Sequence, residues 1–508
     1  MSRSVAQCAA HSGSELSLCS SRARLQEKRA AAAPLRWHSR ATARPRMLVM
    51  VYAGVGGGSP VVAAADLDKI NVLVVGGGGR EHSLCWRLRL SPTCGDLFCC
   101  PGNAGIVVEE GVQTVDVNEK DHAAVVAFCE KNAVGLVVCG PEAPLVDGLA
   151  DSLNAAGVPC FGPSASAARL EGSKGFLKDL LAKYDIPTAK YARFTDPAAA
   201  KAYITTQGAP IVVKTDGLAA GKGVIVAMDV HTALDAVDDM MVRSAFGDAG
   251  SAIVVEEFLT GEEASFFAVV GGGMAVPLVG AQDHKRVGEG DTGLNTGGMG
   301  AYSPAPVLTP ELEAVVMRDI IQPTVDGMAA EGCPFTGVLF AGLMIEDGQV
   351  KLLEHNVRFG DPECQCLMVR MKSDLVQLLL KAATGALDTL EPLEWTPEVA
   401  VVVVMAAAGY PGAYVSGEVI AGLPAADAQN GVKVFHAGTA VDAAGNAVSA
   451  GGRVLGVTAT GADITQAAAR AYRGVDAVAW PGGFVRRDIG WRAIAREKAQ
   501  DKVQAVGE

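Results

Sequence analysis

Glu354, Asn356 and Arg358 close the run VKLLEHNVR and share one parity. In a strand all three side chains leave the same face. A carboxylate beside an amide oxygen suits Mg²⁺ or Mn²⁺, hard ions that take oxygen ligands and share nucleotide phosphates. The planar fork of Arg358 can grip a phosphoryl group next to such an ion. Residue types in this pattern point to a nucleotide site that activates a carboxylate.

A second group lies upstream. The order PIVVK, TDGLAAGKG, VIVAM reads as strand, glycine loop, strand. A P-loop would continue into a helix and carry Ser or Thr after Gly-Lys. Here Gly223 follows Lys222, so the segment is a hairpin rather than a Walker A loop. Gly217, Gly221 and Gly223 let its tip close over a triphosphate, with Lys222 nearby and Lys214 reaching inward. The next strand, AIVVEEFL, ends in Glu256, Glu257, Phe258 and Leu259, and Glu263 follows a short loop. Such an end offers backbone groups to adenine and a carboxylate to ribose. The segment 280–304, GAQDHKRVGEGDTGLNTGGMGAYSP, reads as one long loop with Asp283, Lys285, Arg286 and Asn295. A loop of that length is rarely mere connection, and its cationic centre suits a phosphorylated substrate.

The elements that must position these groups start at residue 69. NVLVVG leads into GGGREH and a helix-like SLCWRL, DLFCC into PGNAG, and GLVVCG into PEAPLVDG. Strand, loop and helix repeat, which predicts a doubly wound parallel sheet. Ligands of such sheets bind beyond the carboxyl ends of the strands. The three loops therefore form one crevice there, lined by Gly78, Gly79, Arg80, Glu81, Asn103 and Glu142. Backbone amides at the first helix start would hold a phosphate, and Glu81 would take ribose hydroxyls. Glu81 also occupies the place of the third glycine of G-x-G-x-x-G, which argues against a dehydrogenase.

The chain has 508 residues, room for roughly three domains. Its net charge of −13 argues against a nucleic-acid partner. No stretch approaches the ~20 apolar residues of a membrane span, and Val399–Ala408 reads as a buried strand. The 12 Cys show no zinc spacing, so reduced, buried thiols are expected. Residues 1–65 differ from the rest. They hold nine Lys or Arg against two acids and are rich in Ser and Ala, the composition of an organelle transit peptide. A chloroplast is expected, with a mitochondrion as the alternative.

Taken together, GGGGREH, PGNAG, GPEAPLV, LEGSK, KTDGLAAGKGV, EEFLTGEEASF, NTGGMGAYSP, RFGDPE and RDIGWRAI resemble the phosphoribosylamine–glycine ligases of the ATP-grasp superfamily. The resemblance runs from about residue 71 to 497. It implies an α/β protein with an N-terminal sheet domain over 66–172, an ATP-grasp α+β region over 173–385 and a C-terminal β-rich domain over 396–495. The implied reaction joins glycine to 5-phosphoribosylamine through glycyl phosphate, in a monomer, with ATP as co-substrate. By resemblance Glu354 and Asn356 are metal ligands. Lys174 joins Lys214, Glu256, Glu257, Leu259 and Glu263 around the nucleotide. Arg358, Asp283 to Arg286 and Asn295 make the transfer centre. His355, Val357, Cys364 and Cys366 depart from the family pattern, and strand alternation turns His355 and Val357 away from the ligands. Another ATP-grasp ligase and a silent ATP-binding regulator are the competing readings.

Overall fold

The computed structural model describes residues 69–219, 223–243 and 245–507. Residues 1–65, Gly221 and Lys222 lie outside the described residues.

The first region is a parallel sheet of β1 (Ile70–Gly76), β2 (Cys94–Pro101), β3 (Val112–Thr114), β4 (Val134–Cys139) and β5 (Cys160–Phe161), in the order β3-β2-β1-β4-β5. Val72 to Val75 have no exposed surface, as a central strand covered on both faces requires. The order reverses at β1, so the crevice opens beyond the ends of β1 and β4.

Two four-stranded antiparallel sheets follow. The smaller has the order β6-β9-β7-β8, from β6 (Tyr191–Phe194), β7 (Ile211–Thr215), β8 (Val224–Ala227) and β9 (Ile253–Glu257). It packs on its own core with the helices Pro197–Gln207 and Val230–Val237. The larger sheet contains β10 (Glu262–Gly271) and β11 (Met274–Pro277).

The segment 280–304 then departs from the expected loop. It holds four short strands: β12 (Gln282–Asp283), β13 (Arg286–Gly288), β14 (Thr292–Asn295) and β15 (Gly300–Ser303). β13 and β14 pair as a hairpin. Glycines at positive φ, Gly290 and Gly293, give that hairpin its turns. β16 (Gly337–Glu346) and β17 (Gln349–Asn356) complete the larger sheet, β11-β10-β16-β17.

The third sheet is built on β18 (Val399–Ala407), the predicted buried strand, with β19 (Val432–His436). After the small hairpin of β20 (Thr439–Val441) and β21 (Ala447–Ser449) come β22 (Arg453–Gly461) and β23 (Gly483–Phe484). Its order is β12-β15-β18-β22-β19, with β23 also on β18. Strands from the central segment thus join the third sheet, which ties the 280–304 segment to two regions at once.

A buried polar seam joins the first and third sheets. The His436 N–H donates to Nδ1 of His82 over 2.8 Å, which leaves the His82 proton on Nε2, 3.1 Å from Glu109. Lys433 Nζ lies 3.0 Å from the same carboxylate. Burial pushes the Glu109 carboxyl up, but the bonds from His82 and Lys433 outweigh it and hold it down to about 2. Its contribution to stability is complete above the ordinary carboxylate range and is lost as pH falls from about 4.5 toward 2. Glu109→Gln is expected to flatten that limb of the stability–pH curve by roughly 2–3 kcal/mol. Urea midpoints of both proteins at pH 3 and pH 7 check this, and equal losses on acidification would contradict it.

Candidate active site

Every region contributes to one cavity of about 600 Å³. One end is an apolar slot. Val212 of β7 and Val224 and Val226 of β8 face Phe340 and Met344 of β16 and Leu353 of β17. Phe258 and Leu259, just past the end of β9, close its edge. A slot between two sheets, with backbone at its rim, accepts a flat base.

Lys174 and Lys214 line the same end. Lys214 Nζ lies 3.0 Å from one Glu256 oxygen, and Lys178 Nζ lies 3.3 Å from the other. All three side chains are almost wholly buried. Lys178, which sequence reasoning missed, also donates to Thr188 over 2.7 Å. Burial brings its pKa down to about 8, despite Glu256. Glu257 also lines the cavity, but its carboxylate accepts from Lys351 and from the Lys190 N–H, both at 3.0 Å. Gly223 lines the cavity and Gly217 does not.

Glu354 and Asn356 of β17 stand together in the wall, as their parity predicted. Burial would raise the Glu354 pKa, but Lys285, Lys214, Lys174 and Arg358 outweigh it and keep the carboxylate ionised. Lys285 Nζ lies 3.4 Å from Asp283 and 3.7 Å from Glu263. Burial would lower its pKa, and the carboxylates of Asp283, Glu263, Glu354 and Glu363 reverse that. Glu363, also missed, accepts from Ser265 Oγ over 3.0 Å. Burial, then the neighbouring Asp283, raises it to about 7. Asn295 lines the cavity beside these groups, whereas Arg286 does not. Its guanidinium donates to the Gly293 carbonyl within the hairpin.

Among the described residues no three His, Cys, Asp or Glu side chains form a metal cage. Mg²⁺ does not need one, since it keeps waters and takes one or two carboxylates plus substrate phosphates. An ionised Glu354 beside the Asn356 Oδ1 fits that pattern. His355 points elsewhere, its Nε2 3.1 Å from Thr324 Oγ1 in the core, and Val357 is also buried.

Arg358 differs from expectation. Its fork is held by Glu142 at 3.0 Å and by Glu171 at 3.0 Å, with Asn356 Oδ1 at 3.2 Å. It is therefore a locked cation that organises the wall.

In the crevice, Arg80 and Glu142 line the cavity, whereas Gly78, Gly79, Glu81 and Asn103 do not. Glu81 accepts from the Gly78 N–H over 2.6 Å and from Arg80 Nε over 2.5 Å. It caps its own helix, Gly79–Arg89, and is 2 % exposed, which replaces the ribose role expected of it. Gly76 and Gly140 are glycines because a Cβ at either would collide with the Glu81 side chain. Asn103 caps the helix Ala104–Val108 and donates to the carbonyls of Gly77 and His436. Its amide is consumed within the protein. Asp361, Tyr410 and Arg453 line the cavity in their stead. RFGDPE held a hint of Asp361 and Glu363, and GYPG of Tyr410. Nothing local marked Arg453.

Sequence models described as the phosphoribosylglycinamide synthetase N domain, ATP-grasp (A) domain and C domain match residues 70–171, 172–364 and 400–492. A chloroplastic phosphoribosylamine–glycine ligase of Arabidopsis thaliana is 60% identical over 427 residues, 83% of this chain and 80% of that one. The phosphoribosylamine–glycine ligase of Brucella melitensis is 57% identical over 431 residues, 85% of this chain and 100% of its own. The crystal structure of the Thermotoga maritima phosphoribosylamine–glycine ligase superposes with a TM-score of 0.71 at 31% identity, covering 83% of this chain and 100% of that chain.

Proposed function

This chain belongs to the phosphoribosylamine–glycine ligase family and joins glycine to 5-phosphoribosylamine with conversion of ATP to ADP and phosphate, and we propose that the single cavity described above is where it does so. The product, glycinamide ribonucleotide, lies in purine biosynthesis. The observation that carries the placement is the ionised Glu354 beside Asn356, between the apolar slot and the Lys285 cluster.

A carboxylate is a poor acyl donor, because its leaving group would be oxide. Phosphorylation supplies a stable leaving group. The glycine carboxylate attacks the γ-phosphorus, the bond to the β-phosphate oxygen breaks, and ADP leaves. The ribosylamine nitrogen then attacks the acyl carbon, phosphate departs with the bridging oxygen, and the nitrogen loses one proton. The slot holds the adenine with backbone from Glu256 to Leu259, while Lys174 and Lys214 take the phosphates. Lys285 and Asn295 receive the glycine and the transferring group. Glu354 and Asn356 would hold a divalent ion such as Mg²⁺, which would supply charge neutralisation at the phosphates. Alignment and charge are the protein's share of the catalysis.

ADP release measured with every combination of glycine and phosphoribosylamine tests the reading. Release is expected only when both are present. Sustained release with glycine replaced by another amino acid would contradict it. The protein is expected to act as a monomer, and light scattering that gave a dimer would contradict that.

The leader supports import into a plastid, and the Arabidopsis relative carries the description chloroplastic. Residues 1–65 fused to a fluorescent reporter are expected to deliver it to plastids, and residues 66–508 alone to keep full activity. A cytosolic or mitochondrial reporter would refute the plastid assignment.

A further inference from the structure

Given the reaction above, on which this inference rests, we propose that Arg453 of the third sheet binds the 5-phosphate of the ribosylamine substrate. The start of the helix Gly79–Arg89, where a phosphate was expected, already faces a carboxylate. A Cβ at Gly78 would lie 3.3 Å from one oxygen of Asp361, and a Cβ at Gly79 would lie 3.6 Å from the other. The Gly78 N–H is also taken by Glu81. A phosphate dianion placed there would meet a like charge.

Four other cations of the cavity have close partners. Arg80 is 7 % exposed and is held by Glu81 and by the Phe359 carbonyl, 3.1 Å away. Arg358 lies between two carboxylates, Lys285 between two more, and Lys214 on Glu256. Lys174 stands at the nucleotide end.

Arg453 is arranged differently. Its Nη1 donates to the carbonyls of Gly297 and Asp361, each at 2.5 Å, which fixes the guanidinium plane. Among the described residues neither Nη2 nor Nε makes a hydrogen bond, and the nearest carboxylate to Nη2 is Asp361 at 3.7 Å. The side chain keeps 22 % of its surface and lines the cavity. One edge clamped, with the other making no hydrogen bond and only the longer ion contact to Asp361, is a fork that a phosphate can take. Tyr410 adds a donor. Its hydroxyl oxygen accepts from the Gly297 N–H over 3.2 Å, so its own proton is free for the ligand.

The test compares ribosylamine made from ribose 5-phosphate and ammonia with ribosylamine made from ribose and ammonia. The readout is the ratio of the two kcat/KM values for glycine-dependent ADP release. In Arg453→Met the ratio is expected to fall roughly 10- to 100-fold, with the KM for ATP unchanged. Arg453→Lys, which keeps the charge, is expected to recover part of it. If both substrates weaken in parallel, Arg453 merely holds Gly297 and Asp361, and the inference is overturned. Collapse of the ratio in Arg80→Met instead would return the phosphate to the first sheet. If ribosylamine turns over too slowly to measure, inhibition by ribose 5-phosphate replaces it, and an unchanged Ki in Arg453→Met overturns the inference. A wild-type protein that acts on neither substrate would remove the parent reading together with this one.

Discussion

Glu354→Gln is expected to leave a folded protein whose turnover is lower by roughly two to three orders of magnitude, the loss typical of removing one preorganised electrostatic group. The carboxylate is half-buried in the cavity wall, and its charge is favoured because four cations surround it: Lys285, Lys214, Lys174 and Arg358. The amide keeps the shape and one oxygen but removes the charge that a divalent ion needs. Turnover should therefore recover only partly as Mg²⁺ is raised, while the melting temperature stays close to that of the parent. Parent-like turnover at low Mg²⁺ would take Glu354 out of the metal site. A collapsed melting temperature would show that the carboxylate's first task is to neutralise the lysines.

Lys214→Met should be the second largest effect, and it has two separable parts. Lys214 shares Glu256 with Lys178, and all three are buried. Removal of one partner from a buried ion pair costs about 3–5 kcal/mol, and the remaining Lys178 reduces that here. If Lys214 holds a nucleotide phosphate, its loss is expected to raise the KM for ATP by ~30- to ~1000-fold as well. The double variant Lys214→Met, Glu256→Gln separates the two parts. It should regain most of the melting temperature and none of the ATP affinity. Recovery of both together would mean that Lys214 serves only the fold.

The shared face of Glu354 and Asn356 and the hairpin after Lys214 were legible because local rules decide them. Alternation along β17 put Glu354 and Asn356 on one face whatever packed around it, and it turned His355 toward Thr324. The hairpin reading of Lys214 to Val224 held because a strand follows the glycines. The crevice was read less well, for a physical reason. Glu81 and Asn103 are polar residues at helix starts, and their sequence signs serve capping as readily as ligand binding. Gly78-x-x-Glu81 places an acid at the third helical position, where it reaches back to the Gly78 N–H. Asn103 precedes AGIVV as an N-cap should. Arg453 left no local sign, because it belongs to the third sheet, far along the chain from the central segment that β15 pairs to that sheet. The 280–304 segment looked like a loop because its strands are two to four residues long and rich in glycine.

The central claim is that this cavity activates a carboxylate by phosphorylating it. The oxygen balance of the reaction tests that directly. Glycine labelled with ¹⁸O in both carboxylate oxygens is supplied with unlabelled ATP, water and phosphoribosylamine, and the released phosphate is analysed by mass. One ¹⁸O atom is expected in each phosphate formed and one in each amide product, because the bridging oxygen of glycyl phosphate leaves with phosphorus. Unlabelled phosphate would show that glycine oxygen never bonds to phosphorus, and the assignment of Glu354, Asn356 and Lys285 to an acyl-phosphate centre would fall with it.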